Sequence, residues 1–158
     1  MSLVVDVATE NTRAPLSRER IRAVAISVLK AERVRDAFVS ITLVSPPHIA
    51  RLNRKHLGHA GPTDVISFAL GPLVPRASSH RPVLGDIYIA PDVARSNAKR
   101  LGGGVREEVA RLVIHGTLHI LGHDHPDGDD RTTSRMWRRQ EQLLSRVMHR
   151  GTVKGCAP

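Results

Sequence analysis

The segment from about residue 105 to 121 constrains this chain most. Its apolar side chains recur almost all the way round a helix, so little of it can be left to water. Such a helix should be the most buried of the domain. Gly102-Gly103-Gly104 stands before it and Gly122 after it; glycine accepts the left-handed conformation that ends helices. The covering elements are legible as shorter patterns. Leu3-Val4-Val5-Asp6-Val7 predicts a strand, and Ile21, Val24, Ala25, Val28 and Leu29 recur at helical spacing with Ser17 placed to cap. Phe38 to Val44 alternates as a strand, and a helix over about 47–57 carries Ile49, Leu52 and Asn53. Val65 to Leu70 and Gly85 to Ala90 predict two more strands, separated by a Pro-, Ser- and Arg-rich loop over 71–83. Pro91 opens a helix that ends near Leu101, and a last helix over about 129–149 aligns Met136, Trp137, Gln140, Leu143, Leu144 and Val147 on one stripe. Asp127, Asp129 and Asp130 place negative charge at its expected start.

Four short strands among helices make an α+β fold: a single domain over 1–158, with a mixed, roughly four-stranded sheet flanked by helices. Some strands are too closely connected for every pair to be parallel, and the strand order is not readable from the patterns. Residues 151–158 read as a frayed tail. No apolar run approaches the ~18–20 residues of a membrane span, and the first residues lack the order of a signal peptide. Cys156 is the only cysteine, which excludes a disulfide framework and any cysteine-ligated metal site. The expected location is the cytoplasm, with no membrane partner.

The formal charge is +9, with 24 Lys+Arg against 15 Asp+Glu. That balance favours polyanions, RNA or DNA above all, although an arginine-rich genome alone would also raise it. Aromatic residues make up only 3% of the chain, too few for a base-stacking platform. Phosphate contacts and shape must therefore carry any nucleic-acid binding.

Four of the nine histidines fall within eleven residues, His115-Gly116-Thr117-Leu118-His119-Ile120-Leu121-Gly122-His123-Asp124-His125. Residues four apart on a helix differ by only ~40° around its axis, so His115 and His119 project side by side and can grip one ion. Past Gly122 the chain can turn back and offer His123 or His125 as a third ligand. The spacing H-x3-H-x2-G-x2-H matches the metzincin zinc signature and selects His125. A zincin-like helix of this kind binds one Zn2+ per chain through three neutral imidazoles and leaves a fourth position for water, which is a catalytic arrangement. A closed structural zinc, with His123 or Asp124 as fourth ligand, is the competing arrangement. Zinc peptidases carry glutamate directly after the first histidine as general base; here that position is Gly116. Phosphodiester cleavage is therefore the expected chemistry, with metal-activated water as nucleophile or proton acceptor. The alternatives are a zinc peptidase with a base from elsewhere in the chain, and a non-enzymatic RNA- or ribosome-binding protein with a structural zinc. Asp124 is a candidate base or ligand-orienting group, or simply a cap for the turn.

HGTLHILGHDH resembles the metal motif of the YbeY family, bacterial endoribonucleases linked to ribosomal RNA maturation and ribosome quality control. Asn53 followed by Pro62-Thr63-Asp64-Val65-Ile66-Ser67-Phe68 is similar to that family's upstream block. Gly85-Asp86-Ile87 with Ala90-Pro91-Asp92-Val93-Ala94 is similar to its second block, and Met136 to Leu144 to its closing helix. The resemblance implies a single-strand-type endoribonuclease acting on rRNA precursors and the ribosome, with zinc on His115, His119 and His125. Many members carry an arginine where this chain has Leu57, so Arg51, Arg54 and Lys55 are the candidates for the phosphate contact. His123 stands where tyrosine is common, which again favours His125 as the ligand.

Overall fold

The structure, a computed structural model, describes residues 2–71, 82–124 and 134–155. In chain order these form β1 (Leu3–Glu10), α1 (Arg18–Ala31), β2 (Ala37–Val44), α2 (Pro46–Leu52), a π-helical turn (Asn53–Leu57), β3 (Val65–Ala69), β4 (Val83–Ile89), α3 (Pro91–Leu101), α4 (Val105–Ile120) and α5 (Arg135–Gly155). The strands make one mixed sheet in the order β1-β2-β4-β3. β2 lies parallel to both β1 and β4, whereas the edge strand β3 runs antiparallel to β4. The fold is α+β, as expected.

Side chains alternate between the two faces of a strand, and here each face meets different helices. Val5 and Val7, Val39, Ile41 and Leu43, and Ile87 and Ile89 point to one side and pack with α1, α4 and α5 into the main core. The nearly all-apolar helix is α4. Val109, Val113, Ile114 and Leu118 are fully buried in it, each stabilising the fold by ~1.5–3 kcal/mol over an exposed side chain. It lies so close to β4 that a side-chain carbon at Gly85 would run into Ile120. At the start of α1, the Ser17 hydroxyl accepts from the Arg20 amide at 3.1 Å, the cap expected from sequence.

The opposite face is covered at one end by α2. Val44, Ile49, Ile66 and Ala90 form a second, smaller core there. The helix expected over 47–57 does not continue regularly; from Asn53 it widens into the π-helical turn. The Asn53 carbonyl accepts from the Gly58 amide and from that of His59 at 3.3 Å, and its buried side-chain amide donates to the Gly61 carbonyl at 2.9 Å. Gly58 takes φ 68° to leave the turn, where a residue with a β-carbon would be strained. Edge-on ring contacts from His56 to Phe68 at 5.2 Å and from Phe68 to Tyr88 at 6.1 Å pin the turn to the sheet.

Two further elements differ from expectation. Asp86 stands in the middle of β4 rather than at a strand start. The last helix begins at Arg135, with the Ser134 hydroxyl accepting from the Trp137 amide at 3.1 Å, and its first turn holds no acidic residue. Asp127, Asp129 and Asp130 lie outside the described residues. The helix continues to Gly155, taking in residues 151–155 of the expected tail.

Tyr88 is the chain's only tyrosine and reports on this face of the sheet. Burial, then the carboxylates of Asp86 and Glu10, raise its phenol above the ordinary value of 10.0. Ultraviolet titration should show phenolate appearing at higher pH in the folded protein than in denatured chain. Because the folded value is the raised one, its contribution to stability is complete below the unfolded pKa and is lost as pH climbs through the folded one. Coincident curves would mean that this face is open to water.

Candidate metal centre

α4 carries His115 and His119 on adjacent turns near its C-terminal end. Their rings meet edge to face, with centroids 4.6 Å apart and planes at 78°, and both side chains are partly exposed. One turn later the helix stops. The Gly122 amide donates to the His119 carbonyl at 3.0 Å, the His123 amide to the Leu118 carbonyl at 3.0 Å, and Gly122 takes φ 96°. This is the left-handed helix ending expected of that glycine. His125, the expected third ligand, lies outside the described residues. Among the described residues, no group of three His, Cys, Asp or Glu side chains is placed to hold a metal ion.

His123, the rejected ligand, is engaged elsewhere. Its Nε2 lies 3.0 Å from Glu32 Oε1, just past the end of α1, and Arg139 Nε reaches the same oxygen at 3.4 Å. Asp124 is exposed.

Behind the imidazoles lies a polar group of α4 and α5 that pattern reading did not single out. His115 Nδ1 is 2.7 Å from Gln140 Oε1, and Gln140 is 1% exposed. Gln140 Nε2 in turn donates to Glu141 Oε2 at 3.4 Å. Arg111 donates to Glu141 through Nε at 3.1 Å and through Nη2 at 3.1 Å, and also pairs with Glu107 and Glu108. Burial alone would lower the Arg111 pKa, but Glu141 and Glu108 outweigh it and raise it above the ordinary value. The signal available in the sequence was a glutamine within the apolar stripe of the last helix. A stripe position tells that a side chain is buried, not what it touches.

Gly116 also has a definite surrounding. A β-carbon there would come within 2.9 Å of Ile87 Cγ2 and 3.2 Å of Ile87 Cδ1. The position at which zinc peptidases hold their catalytic glutamate therefore faces the sheet, with no room for a side chain.

Arg51, Arg54 and Lys55 are exposed on α2 and the π-helical turn. α4 and this segment lie on opposite faces of the sheet at β3 and β4. Gly116 meets Ile87 on one side, whereas His56 meets Phe68, which alternates to the other. Leu57, in the place where the resemblance implies arginine, is 49% exposed at the end of the turn. Among the described residues no helix is long and apolar enough to cross a membrane.

Comparison with known proteins places the chain in a family. The family described as Endoribonuclease YbeY matches residues 6–148. Endoribonuclease YbeY of Bacillus licheniformis is 37% identical over 153 residues, covering 92% of this chain and 96% of that protein. Its namesake in Thermobifida fusca is 37% identical over 145 residues, covering 89% and 92%. In fold, the chain is similar to a Thermotoga maritima protein of known solution structure, with a TM-score of 0.61 at 23% identity, over 96% of this chain and 93% of that one.

Proposed function

The chain belongs to the YbeY family of endoribonucleases, and from that premise we propose that it cleaves single-stranded stretches of ribosomal RNA precursors in the cytoplasm, using one zinc ion. The observation that carries the metal reading is the edge-to-face pair of His115 and His119. Two imidazoles on adjacent helical turns, with His115 backed by a buried amide, suit a divalent ion that prefers nitrogen ligands. His115, His119 and His125 would hold it. When bound, zinc supplies a Lewis acid able to polarise a phosphoryl oxygen.

The remaining work belongs to side chains. Arg51, Arg54 and Lys55 hold the RNA backbone through its phosphates, in place of the arginine that Leu57 replaces. Asp124, exposed beyond the end of α4, is the candidate proton acceptor at its carboxylate. The engagement of His123 with Glu32 favours His125 over it as third ligand. The crowding at Gly116 favours phosphodiester over peptide hydrolysis, because the usual peptidase base has no space.

The test is cleavage of an RNA with defined single-stranded segments, before and after chelation and on restoring zinc. Cleavage that vanishes and returns supports the reading; cleavage indifferent to chelation sinks it. Cyclic phosphate ends would identify the RNA's own 2′-hydroxyl as the nucleophile. Binding should weaken steeply with salt, with a log–log slope of about −0.7 per phosphate neutralised. Neutralising Arg51, Arg54 and Lys55 together should flatten that slope by about 2 and slow cleavage. Neutralising Arg18 and Arg20, exposed at the start of α1, should change it less. Equal effects from both sets would replace a phosphate clamp with a diffuse field.

A further inference from the structure

A glutamine amide can face either way, and its chemistry depends on which. Gln140 is enclosed between the His115 ring on α4 and the Glu141 carboxylate beside it. Arg111 places Nε and Nη2 on that carboxylate, each 3.1 Å from one of its oxygens. A carboxylate so held only accepts hydrogen bonds, so the amide must turn its NH2 towards Glu141. Its oxygen then faces His115, and an amide oxygen also only accepts. The proton between them, across 2.7 Å, must therefore sit on His115 Nδ1. The Nε2 atom of a neutral ring in that state carries the lone pair.

We propose that Gln140 is a positioning residue that fixes His115 as its Nδ1–H tautomer, and that Arg111 and Glu141 set the direction of the Gln140 amide. Three residues on two helices thereby present the Nε2 lone pair of the first histidine as a donor before any ion arrives. The inference rests on the metal reading for its consequence, higher zinc affinity, but not for its geometry. The burial of Gln140 suits the role: a polar side chain with almost no access to water holds one orientation when both its ends are satisfied.

The experiment reads the tautomer directly in the zinc-free protein. Long-range nitrogen–proton correlation at about pH 8, above the ordinary imidazole range, distinguishes the two ring states. Wild type should show His115 with its proton on Nδ1. Gln140→Leu, which keeps the bulk and removes the acceptor, should move His115 to the Nε2–H form that imidazole prefers in water. Gln140→Glu, which keeps an acceptor towards the ring, should restore Nδ1–H. Glu141→Gln leaves the amide free to flip and should give a mixture without touching His115. Zinc affinity, measured by chelator competition, should fall at least about tenfold in Gln140→Leu.

A merely structural glutamine would lower the melting temperature of the variants and leave the tautomer alone. Should Gln140→Leu fail to fold, the surface-accessible Glu141→Gln poses the same question. Wild-type His115 in the Nε2–H form, or Nδ1–H unchanged in both Gln140→Leu and Glu141→Gln, overturns the proposal. Tautomers that respond as stated in a protein that binds no zinc uphold the positioning role and overturn the metal reading instead.

Discussion

Alanine in place of His115 or His119 is expected to strip the protein of zinc and, with it, of RNA cleavage. In the proposed site each removes one of three neutral donors, and the remaining two cannot close a site on a tetrahedral ion. The loss in affinity should exceed the roughly hundredfold that second-shell changes cost. His125→Ala should do the same, whereas His123→Ala should keep its zinc. His123 lies 3.0 Å from Glu32, so its loss should appear in stability, through the link between α1 and the end of α4. Elemental analysis of the four variants, paired with thermal melts, separates these effects. Zinc lost from His123→Ala and kept by His125→Ala would reverse the assignment of the third ligand.

Introducing the glutamate of zinc peptidases, by Gly116→Glu, should destabilise the protein rather than create a peptidase. A β-carbon at 116 already presses to 2.9 Å on Ile87 Cγ2, an atom of a β-branched side chain whose own position is set by the sheet. A carboxylate placed there is buried without a partner, which costs about 3–5 kcal/mol. For a chain of this length that is a fall of roughly 10 °C in melting temperature. Gly116→Ala should cost less, since the better helix propensity of alanine offsets part of the crowding. Calorimetry of both variants checks the order. A Gly116→Glu protein that melts with wild type and hydrolyses peptides would mean that this face of α4 looks into the active site.

Leu57 stands where the family resemblance implies an arginine. An exposed apolar residue ends the π-helical turn, with Arg54 and Lys55 earlier on the same element. In the function proposed here Arg51, Arg54 and Lys55 take the cationic role, and the salt slope of the triple variant tests it.

The positions of the helices and strands were legible because hydrophobic period is a local property: α4 announces itself by apolar residues almost all round, α1 by Ser17 and its spacing. The pairing of His115 with His119 was legible for the same reason, since four residues along a helix fix two side chains on one face whatever surrounds them. Nothing local placed β4 between β2 and β3, because alternation marks which face of a strand is buried and not which strand lies beside it. Nor did local pattern show the widening at Asn53, which depends on hydrogen bonds to Gly58, His59 and Gly61 closing a loop. The contacts of Gly116 with Ile87, of His123 with Glu32 and of His115 with Gln140 each join residues far apart in the chain. Spacing along one helix determined which imidazoles can share an ion; only the packing of α4 against the sheet, α1 and α5 decided which neighbour each side chain meets.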